Sequence, residues 1–127
     1  MRTLLVVDAA NVIGSVPDGW WRDRLGAAER LRDSLVPYAE SGLPEHPGPV
    51  EVVLVVEGAA RTLPGVPGVR TLAAPGSGDD RIVRLVAEEA TGRPCVVVTA
   101  DRGLRQRVRA LGAEVTGPRA VRPEAGG

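Results

Sequence analysis

Leu4-Leu5-Val6-Val7-Asp8-Ala9-Ala10-Asn11 opens the chain with four consecutive apolar residues and then an acid. A short, unbroken apolar run that is β-branched at its end suits a strand buried on both faces of a parallel sheet. Leu4–Val7 is therefore expected at the sheet centre. Working outward, Val50–Val56 reads as a second strand stopped by Gly58, Val69–Leu72 as a weaker third, Cys95–Val98 as a fourth and Glu114–Thr116 as a short last one. Between them, Gly14–Gly19 reads as loop. A helix from Trp20 onward carries Trp21, Leu25, Ala28, Leu31 and Leu35 at helical spacing and ends near Pro37. The Ala59–Gly68 connection, with Pro64 and Pro67, is short for a helical crossover and is expected to be a loop or single turn. Ser77 suits the N-cap of a helix with Ile82, Leu85, Val86 and Ala90 on its apolar stripe, stopped by Gly92 and Pro94. Leu104, Val108 and Leu111 mark one more helix, ended by Gly112. This alternation predicts an α/β class with a mainly parallel sheet of four to five strands and right-handed crossovers.

The 127 residues fit one domain, expected over residues 1–118. Residues 119–127, rich in Pro, Gly and Arg, read as a flexible tail. Formal net charge is zero, so any attraction for a polyanion must come from a local patch. All 16 Lys and Arg positions are Arg. The absence of Lys excludes P-loop phosphate chemistry and Schiff-base catalysis, and argues against a phosphoryl-accepting receiver domain. The single histidine, His46, lies in a Pro- and Gly-punctuated loop, which disfavours a hydrolytic triad. Cys95, the only cysteine, opens an apolar run and reads as a small buried hydrophobe. The apolar run before Asp8 is too short for a signal peptide, and no segment approaches the ~20 apolar residues of a membrane span. A soluble cytoplasmic protein with no membrane association is expected.

Acids recur where strands end. Asp8 closes the first strand, with Asn11 placed to face the same crevice; Glu57 closes the second; Asp79 and Asp80 enter the first turn of the helix after Ser77; Asp101 follows the fourth strand in Thr99-Ala100-Asp101. In a parallel α/β sheet those positions line one edge. Two carboxylates at ~4 Å and an effective dielectric of ~20 repel by on the order of 4 kcal/mol, which divalent cations offset. Structural roles compete at several positions. Asp8 or Asn11 can organise a turn, Asp80 has the Ser-x-x-Asp capping-box spacing, and Asp101 can cap its helix. Asp79 is least explained by capping. Oxygen-only ligation points to Mg²⁺ or Mn²⁺, because zinc prefers His and Cys ligands.

Basic residues adjoin the acids. Arg102, Arg105, Arg107 and Arg109 crowd the last helix, and Arg119 and Arg122 follow, a distribution suited to drawing a polyanion in. Trp20 and Trp21 offer stacking surfaces, although helical spacing places one of them in the core.

On Asp8-Ala9-Ala10-Asn11, Ser77-Gly78-Asp79 and Val98-Thr99-Ala100-Asp101, the chain resembles the NYN-domain branch of the PIN-like ribonucleases, and most closely its YacP-like members, from Leu4 to about Pro118. The resemblance implies a three-layer α/β/α PIN-like fold. It also implies a Mg²⁺ or Mn²⁺ site built from catalytic Asp8, Asp79 and Asp101; Glu57 and Asp80, by their own positions, are further candidate ligands. Asn11, Ser77, Thr99, Arg102, Arg105 and Arg109 are the candidate substrate-binding residues. The expected partner is RNA, single-stranded, and a homodimer is a possible assembly. Glu57 stands where relatives often carry Asp, and the short connection after it removes a place where relatives carry substrate-binding structure. Two rival functions use the same acids: hydrolysis of small nucleotides or nucleoside triphosphates, and an inactive PIN-like module that binds RNA or a protein partner.

Overall fold

The computed structural model describes residues 1–124. Its strands are β1 (Thr3–Asp8), β2 (Gly42–Leu43), β3 (His46–Pro47), β4 (Val50–Val56), β5 (Val69–Ala73), β6 (Cys95–Val98) and β7 (Glu114–Thr116). The helices are α1 (Ala9–Gly14), α2 (Arg24–Leu35), α3 (Tyr38–Ser41), α4 (Gly78–Glu89) and α5 (Arg102–Arg109). Five strands form a parallel sheet in the order β5-β4-β1-β6-β7, with β1 at its centre as its unbroken apolar run requires.

Successive side chains of a strand face opposite ways, so each inner strand feeds two cores. Leu5, Val7, Leu54, Val56 and Val98 pack with Val12, Leu31 and Leu35 from α1 and α2. Leu4, Val6, Val53, Val55 and Val97 pack with Ile82, Leu85, Leu104 and Val108 from α4 and α5. The result is the three-layer α/β/α arrangement.

Local details depart from the periodic reading. Trp20–Arg22 is a 3-10 turn, because Asp23 takes the N-cap role, accepting the Gly26 N–H at 2.9 Å, and delays α2 to Arg24. Trp21 and Leu25 are consequently exposed. The last helix stops at Arg109, so Leu111 is turned out to solvent and leaves the apolar stripe assigned to it. The loop expected over Gly14–Gly19 is irregular only from Ser15, because Gly14 ends the six-residue α1 (Ala9–Gly14), too short to display a helical period. The Pro-rich stretch before β4 holds the small β2–β3 hairpin. Gly58–Thr62 forms a 3-10 turn in the expected short connection.

The flexible tail expected from 119 does not hold for its first residues. Pro118–Ala120 forms a 3-10 turn, Val121 is buried, and Arg122 donates to the carbonyls of Val12 and Ile13 and to Asp18 Oδ2. An apolar side chain and a guanidinium that finds several acceptors dock this segment on α1. The final positions, 125–127, lie outside the described residues.

Candidate active site

The parallel sheet brings the ends of β1, β4 and β6 and the start of α4 to one edge. Asp8, the last residue of β1, is only 5% exposed, a rare depth for a carboxylate without a cationic partner. Burial pushes its pKa up from 3.8 to about 6; the Thr99 hydroxyl bond works against that rise, and the nearby charges of Asp79 and Glu57 add to it. Asp79, on the first turn of α4, is also raised, first by burial and then by the charges of Asp101 and Glu57. Asp8, Glu57, Asp79 and Asp101 therefore share one field, and none of them takes part in an ion pair among the described residues.

Hydrogen bonds fix how the acids are held. Thr99 Oγ1 donates to Asp8 Oδ2 at 2.8 Å and accepts the Asp101 N–H at 3.2 Å, linking the ends of β1 and β6. Asn11 Oδ1 accepts the Ala100 N–H at 2.8 Å, and Arg105 Nε donates to the Thr99 carbonyl at 2.7 Å. Asp101 caps α5 through Oδ1, which accepts the Leu104 N–H at 2.8 Å. Glu57 reaches across from β4 to accept the Gly78 N–H at the start of α4. The approach is tight: a Cβ on Gly78 would lie 3.2 Å from Glu57 Oε2 and the carboxylate would have to shift by a few tenths of an ångström.

The structure thus gathers Asp8, Glu57, Asp79 and Asp101 and separates other candidates from them. Asp80 pairs with Arg107 at 3.0 Å on the exposed side, and its N–H bonds Ser77 Oγ at 3.3 Å, so Ser77 acts as N-cap and Asp80 ties α4 to α5. Asn11, Thr99 and Arg105 brace the loop after β6. Arg102 and Arg109 are exposed on α5 with no ion pair among the described residues. Beside the acids opens a cleft of about 410 Å³ lined by Ala10, Ile13, Trp20, Arg24, Glu57 and Gly58, among others. Arg24 is not among the candidate residues taken from the sequence. Its signal is the Trp-Trp-Arg-Asp-Arg cluster at 20–24, aromatic and cationic side by side.

No family model matches the chain, and no curated protein matches it. Two solved structures of Rae1 (YacP) from Bacillus subtilis do match in three dimensions. One superposes with a TM-score of 0.74 at 19% identity, covering 96% of this chain and 72% of that one. The other, of a tryptophan-to-leucine mutant, gives 0.72 at 19% identity, covering 98% and 75%. The chain has the Rae1 fold. The PIN-like architecture that the resemblance implies is the architecture found.

A divalent cation suits this edge by the chemistry of its donors: carboxylate oxygens that form no ion pair among the described residues, with Arg107 only partly offsetting the charge of Asp79, and no competing His, Cys or Lys. Among the described residues no three His, Cys, Asp or Glu side chains close into a ready-made cage. The acids are within electrostatic reach of one another rather than already drawn onto a common point. Among the described residues, no helix is long and apolar enough to cross a membrane.

Proposed function

We propose that the protein is a metal-dependent ribonuclease, in which water adds across an RNA phosphodiester and leaves one phosphate monoester and one hydroxyl. The carrying observation is the cluster of Asp8, Glu57, Asp79 and Asp101 at one sheet edge, each without a cationic partner, on a PIN-like fold. Such charge is costly to assemble and is retained where a cation is to be bound.

Asp8, Asp79 and Asp101 are the residues that would hold Mg²⁺ or Mn²⁺. Bound there, the ion would lower the pKa of a water and neutralise the scissile phosphate. Thr99 keeps the Asp8 carboxylate turned by engaging Oδ2. Asp101 spends one oxygen on the α5 cap and keeps the other. Asn11 and Arg105 hold the loop that carries Asp101, and the unpaired Arg102 and Arg109 would draw the phosphate backbone along α5.

The test incubates single-stranded RNA, a structured RNA and free nucleotides with Mn²⁺, Mg²⁺ or chelator, using wild type and Asp101→Asn. Asparagine can still accept the Leu104 N–H, so the variant removes charge and keeps the cap. Metal-dependent RNA cleavage that falls about a hundredfold or more in the variant supports the reading. Turnover of free nucleotides alone, or binding without turnover that ignores Asp101→Asn, refutes it.

A further inference from the structure

We propose that the cleft bounded by Trp20 and Arg24 holds the base of one unpaired nucleotide next to the phosphate at the acids, so that the enzyme requires single-stranded RNA. The inference rests on the ribonuclease reading and adds a base subsite to it. Position is the first argument. Glu57 belongs to both the cleft and the acidic edge, Ala9 directly follows Asp8, and Gly76 leads into the turn carrying Asp79. A strand with its phosphate at the acids has its neighbouring base within reach of the cleft.

Size and lining are the second. About 410 Å³ is at the lower end of small-ligand pockets, enough for one nucleoside and too little for a base pair with its backbone. Ala10 and Gly58 keep the cleft open; a Cβ on Gly58 or Gly76 would meet nothing within 4 Å.

Chemistry is the third. Trp20 is half-buried against the α1–α2 core and is therefore held in place, while the Arg24 guanidinium lies 5.3 Å from its ring centroid. Arg24 forms no ion pair among the described residues. An indole and a planar cation together make a stacking platform for any base, and the guanidinium adds attraction for an adjoining phosphate. Among the described residues, Arg24 and Glu57 are the only charged groups lining the cleft, so the site favours stacking over sequence readout. A paired base would first have to leave its helix.

The experiment titrates the full chain, in Ca²⁺ to suppress turnover, against a labelled oligouridylate. Parallel titrations use the same strand with one abasic nucleotide placed at each position in turn, and its duplex. Fluorescence anisotropy reads affinity. One abasic position should weaken binding about tenfold, and Trp20→Leu should weaken the intact strand similarly while losing the response to that position. The duplex should bind more weakly than the single strand. Ala10→Leu fills the cleft and leaves Trp20 in place, so it should reproduce the loss independently of any folding defect in Trp20→Leu. Unchanged affinity in a folded Ala10→Leu, or equal affinity for every abasic strand, overturns the base subsite; Asp101-dependent cleavage would then still stand. Absence of both RNA binding and RNA cleavage in wild type overturns the subsite and the ribonuclease reading together.

Discussion

The hydroxyl of Thr99 donates a 2.8 Å hydrogen bond to Asp8 Oδ2 between two buried side chains 91 positions apart. That bond is the main local counterweight to the burial that raises Asp8. Thr99→Val keeps the side-chain volume and deletes the donor. We expect a loss of about 1–2 kcal/mol at neutral pH. The Asp8 pKa should rise beyond about 6, and the deficit should shrink as the pH falls below that value and Asp8 is protonated. Urea unfolding at a series of pH values in chelator measures both; a pH-independent deficit would show that the hydroxyl does not act through Asp8.

Asp8 itself should be a liability in the metal-free protein. A carboxyl whose pKa is higher folded than unfolded imposes no penalty below about 3.8, an increasing one between 3.8 and about 6, and its full penalty above that. The rise corresponds to on the order of 3 kcal/mol. Asp8→Asn should therefore raise the midpoint of thermal unfolding at neutral pH in chelator and give no such gain near pH 3.5. Asp79, raised in the same direction, should show a smaller version of the effect. Added Mn²⁺ should stabilise wild type more than the variant. A wild type indifferent to Mn²⁺ would count against ligation at Asp8.

Two arginines on one helix should fail in different ways. Arg105 is tied to the Thr99 carbonyl, so Arg105→Ala should cost about 1–2 kcal/mol of stability. Arg102 has no such tie, and Arg102→Ala should leave stability unchanged within about 0.5 kcal/mol. Its effect should fall on RNA affinity instead, reducing the slope of log K against log salt by about 0.7. Filter binding across a salt series, alongside urea melts, distinguishes the two; identical behaviour of the variants would remove the distinction drawn between brace and substrate contact.

Arg122 fastens the C-terminal segment to the carbonyl end of α1. It also holds Asp18 and Glu124 below the ordinary carboxylate range through direct hydrogen bonds. Arg122→Ala should lower stability at neutral pH. Because both acids are depressed, the wild-type advantage should be intact above the ordinary carboxylate pKa and should fade as the pH falls through the lowered values. Chemical denaturation at neutral and strongly acidic pH checks the trend, and a neutral-pH midpoint unchanged by the substitution would refute the clasp.

Val52–Val56 and Cys95–Val98 were readable because burial on both faces leaves no polar residue inside them, so that they admit few other assignments. The acids were readable for a related reason, since a lone carboxylate after such a run stands out. What sequence could not display was where backbone groups find partners. Asn11 and Arg105 look like substrate ligands until the Ala100 N–H and the Thr99 carbonyl are seen to need them. Asp23 looks like one more exposed charge until it accepts the Gly26 N–H and resets the start of α2. Val121 and Arg122 sit in a Pro- and Gly-rich stretch whose composition hides one well-placed apolar side chain and one multiply bonded cation.

The order of strands has a kinetic consequence. Asp8 and Asp101 sit at the ends of neighbouring strands β1 and β6, yet β4, β5 and α4 lie between them along the chain. Their repulsion with Asp79 is felt only once those intervening segments have docked. Neutralising Asp79 should therefore slow unfolding and leave the refolding rate nearly unaltered. Slower unfolding on neutralisation would mean that the clustered acids shorten the native lifetime, and a bound cation would then lengthen it.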